Sequence, residues 1–216
     1  MVIRLLVAIV CILWSISCSA GEQNRKLVLL FTSDLHSQVL PGPDNEGGFA
    51  KIASIVSRER ELAGKEGAAF LLVDGGDISM GSVFHTLFSE EAIEYRAMAR
   101  IGYDAYTLGN HAFDFGVEPL VQMFSNARLK DSLCTFPLLI SANVRCEGVP
   151  AEQYAILERN GLRIGVFGLM GEDSHNVMGA KARGVVEYRN PVEAAKEIVG
   201  ILKPQTDYII AISHSG

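Results

Sequence analysis

Basic residues are scarce in this sequence. Nineteen Lys and Arg stand against 25 Asp and Glu in 216 residues, a formal net charge of −6, and no basic stripe offers a nucleic-acid polymer an electrostatic footprint. A small anionic substrate would need a local source of positive charge. Cysteine is sparse too: there are four, and Cys11 and Cys18 fall within the first twenty residues. Only Cys134 and Cys146 remain, a pair that an oxidising compartment could join if their placement satisfies bridge geometry. Internal repeats, low-complexity tracts and any Pro-, Gly- or Ser-rich linker marking a domain boundary are missing. What is present is enough apolar material for a core: 49% of residues are hydrophobic, and the length suits one domain, or a domain and part of another.

The apolar run from Val7 to Trp14 follows a single Arg4 and leads into Ser17-Cys18-Ser19-Ala20. It is shorter than the roughly 20 residues a spanning helix needs and has the shape of an export signal. Residues 1–20 are therefore expected to be a signal peptide, with cleavage after Ala20 releasing a soluble periplasmic or extracellular protein. Cys18 is the alternative, a lipid anchor at the cell surface, although Ser15 is a poor start for a lipobox. Removing Arg4 with the leader leaves 18 basic residues and a net charge of −7.

Periodicity after residue 21 alternates between strand and helix. Strands are expected at Leu27 to Ser33, Ala69 to Val73, Ala105 to Leu108, Pro137 to Ala142, Tyr154 to Glu158, Leu162 to Gly168 and Tyr208 to Ser213. Helices are expected at Phe49 to Leu62, with Ile52, Ala53, Val56 and Leu62 on an apolar spacing, and at Glu90 to Ile101, Val117 to Ala127 and Val192 to Leu202. The alternation argues a layered α/β fold. Asn160-Gly161 is a strong hairpin signal, so the sheet system should be mixed.

Four of these apolar strands run straight into ligand-type side chains: TSDLH with Asp34 and His36, DGGD with Asp74 and Asp77, GNHAFD with Asn110, His111 and Asp114, and ISHSG with His214. In open α/β sheets the carboxyl ends of strands share one edge, where ligands bind, so residues far apart in the chain should converge. Asp34 and His36 are two apart, and in extended chain both would point to one face. Asp77 can lend two carboxylate oxygens to two ions, Asn110 offers a neutral oxygen and His214 an imidazole nitrogen. Oxygen and nitrogen donors without thiolate suit Zn, Mn or Fe. Taken singly each motif has a plainer explanation, since Asp caps helices and Gly-Gly-Asp makes tight turns. Their joint placement behind four strands is what points to a site.

Through TSDLH, GGFAKIA, DGGD, GYDAYTLGNHAFDFG, FPLLISANV, GVFGL and ISHSG the sequence resembles the calcineurin-like metallophosphoesterases, and most closely their exported 5'-nucleotidase branch. The resemblance covers nearly all of residues 21–216 and implies a four-layer α/β/β/α sandwich with two divalent cations at the strand ends. It further implies that Asp34, His36 and Asp77 hold one ion and that Asp77, Asn110 and His214 hold the other. His111, steadied by Asp114, would face the substrate phosphate and help the departing oxygen, while water activated by the ions attacks phosphorus without a covalent phosphoenzyme. The substrate implied is a nucleotide or other small phosphate ester.

Two departures from the family pattern stand out. Ala112 replaces a frequent Glu, with little expected consequence. More seriously, the family's later Gly-His-x-His or Gly-His-x-Gln motif and its C-terminal nucleoside-clasping domain lie beyond the position of His214, and nothing in residues 21–216 reads as a base pocket. The sandwich is thus expected to be incomplete at the C-terminus, and the chain to be an N-terminal fragment that hydrolyses AMP poorly. Alternatives are a non-catalytic metal-binding remnant, or a 2',3'-cyclic nucleotide phosphodiesterase or sulfur-ester hydrolase on the same scaffold. His85 and His175 match no family position and are expected to be surface or loop residues.

Overall fold

The computed structural model describes residues 25–215. The signal peptide expected at residues 1–20, with Cys11 and Cys18, lies outside the described residues.

β1 (Leu27–Thr32) leads through α1 (Phe49–Lys65) to β2 (Ala69–Asp74). Two short helices, α2 (Phe88–Glu91) and α3 (Ile93–Ile101), precede β3 (Ala105–Tyr106), and α4 (Val117–Lys130) precedes β4 (Leu138–Leu139). These four strands form a parallel sheet in the order β1-β2-β3-β4. A second sheet, β6-β7-β9, contains the antiparallel hairpin of β6 (Tyr154–Arg159) and β7 (Leu162–Met170), with β9 (Tyr208–His214) parallel to β7. Asn160 and Gly161 turn the hairpin with φ of 46° and 77°, the left-handed pair that a two-residue connection needs to match strand twist. Between these hairpin and edge strands come α5 (Glu172–Val177), α6 (Ala180–Arg183) and α7 (Pro191–Leu202). β5 (Val144–Arg145) and β8 (Glu187–Tyr188) form a small antiparallel ribbon of their own.

The side-chain alternation of β2 shows how the layers stack. Ala69, Leu71 and Val73 join Ile164, Val166 and Ile212 of the second sheet and Ala194, Ile198 and Leu202 of α7 in one core. Leu72, on the opposite face, joins Val56, Tyr95, Met98, Leu120 and Phe124 of the helices in the other. Helices, sheet, sheet and helix are therefore stacked in the expected four-layer order, and every strand at the centre is buried on both faces. The two sheets touch closely at Gly168, where an added Cβ would meet Ile140 O at 2.0 Å and Thr107 Oγ1 at 2.4 Å.

Several local expectations are corrected. The helix expected from Glu90 is interrupted at Ala92, whose φ of 48° splits α2 from α3. The stripe α1 buries is Phe49, Val56 and Ala63, whereas Leu62 faces outward. The strand expected over Ala105 to Leu108 keeps ladder pairing only at Ala105 and Tyr106, and that over Pro137 to Ala142 only at Leu138 and Leu139, because the chain turns away toward the site and toward the second sheet. Cys134 and Cys146 are both free. His85 is half-buried in a 3-10 turn, stacked over Phe115, and His175 sits in α5 stacked on Tyr188.

Candidate metal centre

The carboxyl ends of β1, β2 and β3 open on one rim, and the end of β9 reaches the same place from the second sheet. His214 is the last residue of β9, in register with Met170 at the end of β7. The shared edge expected of one sheet is thus built by two, facing each other.

Asp34 and His36 do converge, but through left-handed rather than extended backbone. Asp34, His36 and Ser37 have φ of 56°, 45° and 52°, and Asp77 in the facing loop has 53°. Such residues pay a steric penalty unless the surroundings fix them, and here a run of backbone bonds does so: Asp34 N donates to Gly76 O, His36 N to Asp77 O and Ser37 N to Ile78 O, each at 3.0 Å. One ligand atom from each of Asp34, His36 and Asp77 lies within 4.8 Å of the others, and His36 Nε2 is 3.6 Å from Asp34 Oδ1.

Asp77 is buried between two groups of donors. Its Oδ2 lies 3.1 Å from His214 Nε2, which in turn is 3.2 Å from Asn110 Oδ1. Its Oδ1 accepts the His111 backbone N–H at 2.9 Å. His214 Nδ1 donates to Gly75 O at 2.9 Å, so Nε2 is the nitrogen turned toward Asp77 and Asn110. Burial alone would push the Asp77 carboxyl up, but the His214 hydrogen bond and charge, together with the His111 N–H, hold it below the usual carboxylate range. His214 is the converse: burial pushes it down, and the Asp77 hydrogen bond and charge raise it above the ordinary imidazole value.

These donors fit a divalent cation. Before one binds, the buried Asp77 carboxylate is balanced by the His214 imidazole and the His111 backbone N–H, and the cluster is all oxygen and nitrogen, the donor set of Zn, Mn or Fe. Gly109 allows the close approach, since a Cβ there would sit 2.0 Å from Asp77 Oδ1.

Asn110 and His111 belong to a 3-10 turn, Asn110–Phe113, directly after β3. His111 Nδ1 donates to Asp114 Oδ2 at 2.7 Å, and the His111 ring meets that of His36 edge-on with centroids 5.4 Å apart. Seven of the eight ligand-type residues singled out in the sequence therefore lie on one rim, and the eighth, Asp74, is wholly buried. A groove of about 810 Å³ lined in part by Asn143, Arg145, Cys146 and Arg189 is built from none of them.

No protein-family model matches the chain. Among curated proteins, the 5'-nucleotidase of Vibrio cholerae is 32% identical over 201 residues, 91% of this chain and 35% of that protein. Protein UshA of Escherichia coli is 32% identical over 204 residues, again 91% of this chain and 36% of the relative. Among solved structures, a 5'-nucleotidase precursor from Thermus thermophilus superposes with a TM-score of 0.69 at 26% identity, over 87% of this chain and 37% of the other. The calcineurin-like phosphoesterase YfkN of Bacillus subtilis superposes with a TM-score of 0.68 at 23% identity, over 87% and 61%.

This chain is a homologue of the 5'-nucleotidases.

Its fold is the calcineurin-like metallophosphoesterase sandwich, and it spans about a third of the length of the curated relatives it matches. Two residues of this homologue support the site in ways that only the three-dimensional structure shows, although Asp74 stands in the DGGD motif. Asp74, wholly buried, accepts Thr32 Oγ1 at 2.6 Å and Gly76 N at 2.9 Å and so shapes the turn before Asp77. Burial pushes its carboxyl up to about 7 against the pull of those bonds. Asn143 binds both backbone groups of Met170, with Oδ1 accepting Met170 N at 2.9 Å and Nδ2 donating to Met170 O at 2.8 Å, clamping the strand end beside His214. Asn143 lies within the FPLLISANV segment, but nothing in that wording distinguishes a clamp from a turn residue.

Proposed function

We propose that the chain is the metal-binding catalytic part of an exported phosphoric ester hydrolase of the 5'-nucleotidase type, releasing phosphate from nucleoside phosphates. Residues 1–20 would be its signal peptide and residues 21–216 its metallophosphoesterase domain. The observation that carries the reading is the position of the buried Asp77 carboxylate between Asp34 and His36 on one side and Asn110 and His214 on the other.

In this reading Asp34, His36 and Asp77 hold one divalent cation and Asp77, Asn110 and His214 a second, each Zn, Mn or Fe. Bound there, such ions supply Lewis acidity, neutralising phosphoryl charge and making water a better nucleophile at neutral pH. The protein's own residues do the rest. His111 donates Nδ1–H to Asp114, which fixes the ring's tautomer and orientation and supports the imidazolium. Its Nε2 is then left to face the substrate, binding a phosphate oxygen and giving a proton to the departing nucleoside oxygen. The 5'-nucleotidase names of the relatives support the substrate class.

Phosphate release from AMP by the purified chain, with Mn or Zn supplied, tests the proposal. The expected result is slow turnover that requires the metal, stops with a chelator and is lost in His111→Ala. Absence of metal-dependent release, or release indifferent to His111→Ala, would overturn it.

A further inference from the structure

Helix α3 carries a carboxyl group where its partners are apolar. Glu94 is wholly buried on the face that also buries Tyr95 and Met98, and a carboxyl so placed loses its hydration and must be repaid by hydrogen bonds. It has one side-chain bond: Ser37 Oγ donates to Glu94 Oε1 at 2.5 Å. Glu94 Oε2 has no hydrogen-bond partner among the described residues.

Ser37 is held from every side. Its N–H donates to Ile78 O at 3.0 Å, its carbonyl accepts Ser82 Oγ at 2.6 Å, and the hydroxyl is the group tied to Glu94. Ser37 follows His36 directly, and both have left-handed backbone, as does Asp34. Three such residues in four positions cost conformational energy; the turn buries Leu35 and Ser37 while leaving Asp34 exposed and His36 half-buried. What the strained turn achieves is to bring the Asp34 and His36 donors within reach of Asp77.

Resting on the metal-site reading above, we infer that Glu94 is a positioning residue: through Ser37 it locks the left-handed turn that aims Asp34 and His36 at the cation shared with Asp77. The acceptor oxygen does this, so an amide in the same place should serve. Removing the acceptor should let the turn relax toward ordinary backbone and spread the donors.

The test is Mn titration of the full chain by calorimetry, with thermal melts in chelator to show that each variant is folded. Ser37→Ala and Glu94→Ala should each weaken affinity about tenfold, and the double variant should be no worse than either single one, because the two lose the same bond. Glu94→Gln should remain within about twofold of the parent. A purely structural Glu94 would lower the melting temperature without moving metal affinity in the folded protein. Should Glu94→Ala fail to fold, Ser37→Ala reads the same bond from the other end. Parental affinity in folded Ser37→Ala, or loss in Glu94→Gln equal to that in Glu94→Ala, overturns the inference while leaving the metal site standing. No Mn binding by the parent chain would instead count against the proposed function, and the inference would fall with it.

Discussion

His214 Nε2 lies 3.1 Å from Asp77 Oδ2, joining the last strand of one sheet to the loop after β2 of the other. A buried carboxylate and imidazole at this distance stabilise each other before any cation arrives, and afterwards can turn the same atoms to metal coordination. That position between donor groups would allow Asp77 to serve both of the proposed ions.

Replacing Asp77 with Ala should therefore deplete both ions rather than one. The loss should exceed the roughly 10–100-fold that removal of an outer partner of a metal ligand costs. Metal content after dialysis, by elemental analysis, checks this, and retention of both ions would remove the bridging role.

His111 predicts the opposite pattern. His111→Ala should lower kcat by roughly 10²–10⁴-fold, the range for a lost proton donor, while metal content stays near that of the parent. Asp114→Asn should lower kcat by less, because the ring remains but its tautomer is no longer selected. Loss of metal in His111→Ala would mean that the ring is a ligand.

Gly109 should tolerate no side chain. A Cβ would lie 2.0 Å from Asp77 Oδ1 and 2.6 Å from its Cγ, so Gly109→Ala must displace either the carboxylate or the turn before Asn110. Overpacking of this kind costs about 1–3 kcal/mol, and metal affinity should fall with it. Denaturant unfolding and metal titration together check the two effects, and parental values in both would contradict the packing described.

Asp74 gives a pH dependence whose sign is fixed. Its folded pKa, about 7, stands above the ordinary 3.8 because burial disfavours the charge. A raised value means stability that is fully present below about pH 4 and lost as pH rises through 7, up to about 4 kcal/mol for a shift of this size. Asp74→Asn removes the titration, so its stability relative to the parent should improve from about pH 4 to about pH 7 and level off above that. Urea unfolding in chelator at several pH values measures this, and a difference independent of pH would show that Asp74 is ionised in the fold at no cost.

Local sequence made much of this legible. Leu27–Thr32, Ala69–Asp74 and the β6–β7 hairpin follow directly from apolar runs and from Asn160-Gly161, since strand burial and turn chemistry are short-range properties. α7 begins where Asn190 accepts Val192 N and Glu193 N with Pro191 in the first turn, a start signal readable in the chain. The ends of β3 and β4 are less legible because tertiary contacts, not propensity, decide where the ladder stops. Neither the left-handed turn at Asp34 to Ser37 nor the break at Ala92 has a local signal: none of these residues is Gly, and each conformation is imposed from outside, by the Gly76–Ile78 loop in the first case. Glu94 has no local signal either, as a carboxylate in a helix reads as solvent-facing until its burial is known, and Asp74, though visible in DGGD, reads as a ligand-type residue rather than as the buried support of the turn before Asp77.

The central claim is that Asp34, His36, Asp77, Asn110 and His214 jointly hold a pair of cations. A crystal structure of the chain grown with Mn, with anomalous differences recorded at the metal edge, tests it most directly. Two peaks roughly 3.5–4 Å apart, with the Asp77 carboxylate between them, are the result expected; ions bound elsewhere, or none within reach of Asp77, would contradict it.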